Sequence, residues 1–324
     1  MNFLAVGDPH CTVEEIPDCR ALMDFVLQTC LDRIITKVVI LGDLHHTFSI
    51  TNIKVTAFWL ETFERFTKKG ISIMALVGNH DMAGDGTGYP HALLPYMGMN
   101  GVTVVDKPLM LGGALFLPYY ADPKLFVSEV ERFPDVELVV CHQEFNGAQY
   151  DNGFYAPGGV DPSLMKVPVM SGHIHTPQTL DGGRVVIEYI GAPRWRTLSD
   201  AATQSRKLVY VQNNGQLCES IPVNGHVKRI IARTLTPESC VLVDYNEHDE
   251  FRITLEGPAA WIQQEKDAFQ HSNIKVSAVA TDVSTARVRE SDGIEVAFRK
   301  FLSAYSPKNG TPKDTLAEMA RTRL

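Results

Sequence analysis

Short apolar runs, each closed by a polar residue or glycine, alternate with longer stretches of helical periodicity through most of the chain. Asn2–Val6 reads as a strand that runs into Gly7-Asp8-Pro9-His10. A helix is predicted from about Asp18 to Ile35, because Met23, Val26, Leu27, Cys30, Leu31 and Ile34 recur at helical spacing. Val38–Leu41 is a second buried strand, and Gly42 allows a sharp turn that delivers Asp43, His45 and His46. These pieces form a β-α-β unit. A second amphipathic helix is predicted over Asn52–Lys69, with Val55, Phe58, Trp59, Phe63 and Phe66 on one side and Gly70 at its end. The strand Ile71–Val77 leads to Gly78-Asn79-His80-Asp81.

Ala83–Gly88 is glycine-rich loop, and with no following lysine it does not read as a phosphate loop. His91–Met99 is expected to be a short helix, and Leu125–Phe133 another. Strands are expected at Val102–Val105, Ala114–Leu117, Glu137–Cys141 (ending in His142) and Val167–Met170 (ending in Gly172-His173-Ile174-His175). Asn146–Pro162 reads as irregular loop. Val185–Ile190 and Lys207–Gln212 are expected to close the second half of the sheet. The texture changes near Val223–Val227. Phe251–Leu255, a helix from Gly257-Pro258 to about Gln270, and Ile274–Ala278 then make a small β-α-β element. Ile294, Ala297, Phe298, Phe301, Leu302 and Tyr305 form the stripe of a tail helix, and Lys313–Arg323 a weaker last one.

The 324 residues are 44% hydrophobic and 21% charged, as in an ordinary globular protein. No apolar run approaches the ~20 residues that span a bilayer, and Met1–Val6 starts a strand directly, so no secretory signal is read. The six cysteines include no C-x-x-C pair and are read as reduced thiols of a cytoplasmic protein. The net charge of −8 gives no general support for nucleic-acid binding, so any DNA contact needs a local basic patch. Arg194, Arg196, Arg206 and Lys207 could supply such a rim, or could form a solvated face.

The chemistry lies at strand ends. Asp8/His10, Asp43, Asn79, His142 and His173/His175 follow five apolar strands in order. D-x-H and H-x-H each put two ligands on one side of an extended chain. Mixed carboxylate, imidazole and amide donors suit borderline divalent ions, and a carboxylate such as Asp43 can bridge two cations ~3.5–4 Å apart. His91, His226, His248 and His271 are read as structural or surface residues, and His45 as structural. Asp81 is read as an orienting acceptor.

On Asp8-Pro9-His10, Gly42-Asp43, Gly78-Asn79-His80-Asp81, His142 and Gly172-His173-Ile174-His175, the chain resembles the calcineurin-like metallophosphoesterase superfamily. Within it the sequence is most similar to SbcD-type recombination nucleases, including phage versions. That likeness rests on His46, on Gly191-Ala192-Pro193-Arg194, and on the order of phosphoesterase domain, β-α-β cap and amphipathic tail. The resemblance implies an α/β fold, a two-sheet α/β/β/α sandwich with a small α+β cap and a helical C-terminal tail. The expected domains are 1–225 (nuclease), 226–290 (cap, DNA binding) and 291–324 (tail, partner binding). It implies that Asp8, His10 and His175 hold one metal and Asn79, His142 and His173 the other, with Asp43 shared. His80 would protonate the leaving oxygen or stabilise the transition state, and His46 would orient the phosphate. The two ions would be manganese first, with magnesium, iron or zinc as alternatives, and a hydroxide held by them would attack phosphorus.

The expected activity is a DNA exonuclease, with endonuclease activity as a further option, in an SbcCD-like recombination or repair complex. The expected partners are DNA, an SbcC-like ABC-type ATPase docked on the tail, and a second copy of the chain joined through the helices near Asn52–Lys69 and His91–Met99. No membrane partner is expected. The alternative is a stand-alone phosphoesterase acting on small phosphodiesters or phosphoproteins, toward which the acidic charge leans. A non-catalytic subunit is disfavoured because every expected ligand is present.

Overall fold

The structure is a computed structural model and describes residues 1–84, 88–203, 205–212, 216–239, 245–269 and 271–281. The tail assigned to 291–324 lies outside the described residues, as do the loop at 85–87 and Cys240; the side chain of Cys218 is likewise not described.

Two six-stranded sheets organise the first of two compact units, which comprises 1–231 and 247–250. The first sheet is built around three parallel neighbours, β1 (Phe3–Val6), β2 (Lys37–Ile40) and β3 (Ser72–Leu76). Val102–Val105 (β4) extends it at one edge. The second sheet gathers β5 (Leu109–Leu111), β6 (Ala114–Leu117), β7 (Leu138–Cys141), β8 (Val169–Ser171), β9 (Gln178–Asp181) and β10 (Val186–Tyr189). Side chains alternate along every strand, and that period assigns the layers. Phe3, Ala5, Val39, Leu41, Met74 and Leu76 meet Phe116, Leu138, Val140 and Met170 between the sheets. Leu4, Val6, Val38, Ile40 and Ile73 face α1 (Ile16–Arg33) and α2 (Ile53–Lys68). Leu115, Leu117, Val139 and Cys141 face Phe126 of α3 (Pro123–Glu131) and the loop around Phe145–Met165. The result is the expected α/β/β/α sandwich, with few helices on the outer side of the second sheet.

Several local expectations are corrected. The buried seam of α1 is Cys19, Leu22, Met23, Val26, Thr29 and Cys30, whereas Ile34 is 87% exposed. Ile34 takes a left-handed conformation (φ 57°) just past the last turn, so it cannot continue the apolar stripe. His91–Met99 is not a helix. Only Leu94–Tyr96 makes a single 3₁₀ turn, with Pro95 inside it and a left-handed Gly98 (φ 86°) behind it. Lys207–Gln212 (β11) belongs to the first sheet, not the second, because it pairs antiparallel with β1; β12 (Gln216–Pro222) follows at the edge.

The expected basic rim is corrected at Arg194 and Arg206. Arg194 is buried and gives two hydrogen bonds to the Pro9 carbonyl (2.6 and 3.1 Å) and one to that of His10 (3.2 Å). Arg206 is buried against Asp200 (2.5 Å) and donates to the carbonyls of Ala192 (2.7 Å) and His175 (3.0 Å). Lys207 pairs with Glu188 at 2.7 Å. Arg194 and Arg206 thus anchor site loops and form neither a phosphate rim nor a solvated face. Asp200→Ala would strand the Arg206 charge in the interior, at an expected cost of about 3–5 kcal/mol. The check is the urea midpoint of the metal-free protein, with Asp200→Asn expected to lose less. An unmoved midpoint would mean that the pair holds nothing in place.

The described residues of the second unit are 232–239, 245–246, 251–269 and 271–281. Its described part contains β14 (Glu250–Gly257), α4 (Ala259–Lys266) and β15 (Ile274–Ala280), with the two strands parallel. Ile230–Leu235 (β13) completes its three-stranded sheet. No helix among the described residues is long and apolar enough to cross a membrane.

Candidate metal centre

The C-terminal ends of β1, β2 and β3 and those of β7 and β8 open toward one another, and the five predicted strand-end clusters converge there. The backbone is bent to do this. His10 (φ 47°), Asp43 (φ 51°) and His173 (φ 79°) all adopt positive φ, which non-glycine residues keep only where the surroundings impose it. Close approach also dictates two glycines. A Cβ on Gly42 would fall 2.4 Å from His142 Nδ1, and one on Gly78 would fall 2.2 Å from Asp43 Oδ1. The loops are zipped together by His10 N–H to the Asp43 carbonyl (2.8 Å) and Cys11 N–H to that of Leu44 (2.9 Å).

The donor atoms fall into two groups that share one carboxylate oxygen. On one side, His10 Nε2 and His175 Nε2 stand 2.8 Å apart, and His10 Nε2 is 3.4 Å from Asp43 Oδ2. On the other, Asn79 Oδ1 lies 2.8 Å from His142 Nε2 and 2.9 Å from His173 Nδ1, and His142 Nε2 is 3.3 Å from the same Asp43 Oδ2. Asp8 also reaches residues of the second group. Its Oδ2 accepts the His173 backbone N–H (3.0 Å), and its buried Oδ1 lies 3.2 Å from His142 Nδ1 without a hydrogen-bond partner.

Outer contacts set the tautomers. His142 Nδ1 donates to the Leu41 carbonyl (2.7 Å), and His175 Nδ1 faces Asp151 Oδ2 (3.2 Å), so each presents Nε2 inward. Burial works against a charged His142, but Asp43 and Asp8 outweigh it and hold the imidazole well above its ordinary value. Burial likewise opposes the charge on Asp43, and His142 and His10 overcome it, keeping the carboxyl well below the usual range. The same concentrated negative potential attracts a divalent cation. An orphaned carboxylate oxygen, inward-facing imidazole nitrogens and a glycine-lined cradle fit a pair of such ions, and the mixed donor set suits manganese, iron or zinc.

His80 stands beside the donors. Its backbone N–H donates to Asp43 Oδ1 (2.9 Å) and its Nδ1 to the His46 carbonyl (2.6 Å), which leaves Nε2 for other work. The ring is flanked by Phe48 (4.0 Å) and His46 (5.3 Å, stacked), with its plane nearly perpendicular to that of His10 (4.7 Å). Burial holds His80 below its ordinary value and pushes His46 down to about 4, the latter with help from Arg196, so both are neutral at pH 7. His46 Nδ1 is 3.4 Å from His10 Nδ1 and 3.3 Å from Arg196 Nη1.

Asp81 is no donor to the centre. Its carboxylate receives the N–H groups of His45 (3.0 Å), Gly78 (3.0 Å) and Leu44 (3.4 Å), tying two site loops together, and burial with Asp43 raises it to about 7. His45 turns away to Tyr96 Oη at 2.9 Å. Four contributors were not predicted: Asp151, Glu144 (3.6 Å from His173 Nε2), Tyr119 (stacked on His173 at 5.6 Å) and Glu15, which holds Arg196. Glu144 had a signal, since H-x-E after a strand repeats the alternation of D-x-H. Tyr119 follows β6 as another strand-end residue. Asp151 sits in an irregular loop that no periodicity marks.

Residues 1–177 match the family described as calcineurin-like phosphoesterase. Exonuclease subunit 1 of Enterobacteria phage T4 is 25% identical over 191 residues, which cover 56% of this chain and 55% of that protein. The chain therefore spans about half the length of this curated relative.

Proposed function

The chain belongs to the calcineurin-like phosphoesterase family, and from that premise we propose that it is a two-metal DNA nuclease, an exonuclease in the first instance. The observation that carries the metal assignment is the placement of one oxygen, Asp43 Oδ2, within 3.4 Å of His10 Nε2 and 3.3 Å of His142 Nε2. In this reading His10, His175 and Asp8 would hold one ion and Asn79, His142 and His173 the other, with Asp43 serving both. When bound, the ions supply Lewis acidity toward the phosphoryl oxygens and lower the pKa of water.

The protein side chains do the positioning and the proton traffic. His80 is neutral with its Nδ1 proton committed to the His46 carbonyl. It can accept a proton only at Nε2, and the imidazolium so formed can donate that proton to the departing oxygen. Hydrolysis then adds one water across the P–O bond, with the hydroxyl on phosphorus and the proton on the leaving alcohol. His46, neutral and held near Arg196, orients the phosphate. Phe48 covers one face of His80 and limits its contact with water.

The nuclease reading draws on the likeness to a phage exonuclease subunit. It brings with it a homodimer, an ABC-type ATPase partner and a DNA-gripping role for the second unit. One assay tests it: manganese-dependent degradation of linear duplex and single-stranded DNA, with bis(p-nitrophenyl) phosphate run in parallel. Degradation of DNA that stops with chelator is the expected result. The second reading, a stand-alone phosphoesterase, is favoured by the net charge of −8 and the burial of Arg194 and Arg206. Hydrolysis of the small diester with DNA left intact would select it.

A further inference from the structure

Beside the centre lies a cleft of about 510 Å³, walled by the end of β3, the connection from β4 to β5 and the segment from β6 into α3. Its volume falls in the ~300–1,000 Å³ range of small-molecule sites. Tyr119 lines it and also packs on the metal centre, with its ring stacked on His173 (5.6 Å, 28°) and edge-on to His142 (6.2 Å). Tyr89, 65% exposed, contributes a second ring. Asp106, Asp122 and Lys107 bring charged groups of both signs to the same walls.

We propose that this cleft receives a nucleobase of the strand whose phosphodiester lies on the metal centre, with Tyr119 and Tyr89 as stacking surfaces. The proposal rests on the phosphodiesterase reading above and adds to it a subsite for the substrate's base. Three observations favour a base as the occupant. Aromatic walls offer π faces, on which any base stacks without regard to sequence. Asp106 and Asp122 can accept hydrogen bonds from exocyclic amino groups, and Lys107 of the same lining can donate to ring carbonyls. One ring, Tyr119, also borders both the cleft and the donor group, which places a base site next to the phosphate site. The platform is rigid. Tyr119 N–H donates to the Val77 carbonyl (2.9 Å), and Tyr120 is held at both backbone groups by Gln143 (3.2 and 3.1 Å).

The test compares two manganese-dependent substrates, the p-nitrophenyl ester of thymidine 5′-phosphate and methyl p-nitrophenyl phosphate, which has no base. Tyr119→Leu should lower the ratio of their kcat/KM values roughly ten- to hundredfold, the range set by loss of one base–aromatic stack. Tyr89→Ala should lower it in the same direction and guards against misfolding of the first variant. An independent readout needs no turnover: the fluorescence of 2-aminopurine nucleoside 5′-monophosphate should be quenched on binding to wild type and less so with either variant. Ratios within threefold of wild type in both variants, with equal quenching, would overturn the proposal. If wild type hydrolyses neither ester, the phosphodiesterase reading fails, and the fluorescence titration still decides whether a base enters the cleft.

Discussion

Asp43→Ala is expected to lose both metal occupancy and hydrolysis while remaining folded. The carboxylate is buried, with its Oδ2 facing donor atoms on both sides. Its removal takes the shared ligand from two ions at once, so neither site is left complete. In the metal-free protein the substitution also gives up the pairing of this anion with His142 and His10, so circular dichroism of the same preparation is read alongside. Asp43→Asn is the sharper variant. It keeps an oxygen for the His80 N–H, now 2.9 Å from Oδ1, and removes only the charge. Thermal unfolding with and without manganese reads this directly. Ligand at a hundredfold excess over Kd should stabilise wild type by about 2.7 kcal/mol per site, and the variants should gain far less. A variant that carries two ions per chain by metal analysis would refute the bridging role.

His80→Ala is expected to separate chemistry from metal binding. The backbone N–H that donates to Asp43 survives the substitution, so the bridging carboxylate keeps its orientation. What disappears is the imidazole anchored on the His46 carbonyl. Loss of a positioned general acid or base lowers kcat by about 10²–10⁴-fold, with metal content unchanged. The check is steady-state hydrolysis of a diester alongside metal analysis of the same preparation. Wild-type turnover would remove His80 from the chemistry, and loss of metal would recast it as a support for the ligand shell. A leaving group that needs no proton, such as p-nitrophenolate, should be less affected than an alkoxide.

The parts of the molecule that were legible in the sequence are those with a local physical cause. Val38–Leu41 and Ile71–Val77 show as strands because buried parallel strands are apolar on both faces. The polar residues at their ends stand out against that background. D-x-H and H-x-H show because period-two alternation puts both side chains on one side. What stayed hidden depends on distant partners. Lys207–Gln212 looks like any strand, and its pairing with β1 is fixed by a contact some 200 positions away in sequence. Arg194 and Arg206 read as surface charges because nothing nearby reveals the Pro9 and Ala192 carbonyls that bury them. The edge strand Gln178–Asp181 is short and polar at three of its four positions, and its hydrogen bonds to β10 define it more than its composition does. Ile34 misled for a related reason: helical spacing continues past Arg33, although the backbone does not.

The most direct measurement is an anomalous difference map from crystals soaked in manganese. The account predicts two peaks ~3.5–4 Å apart, one flanked by His10 and His175, the other by Asn79, His142 and His173, with Asp43 between them. Density at a single position that Asp43 does not contact, or none among these side chains, would contradict it.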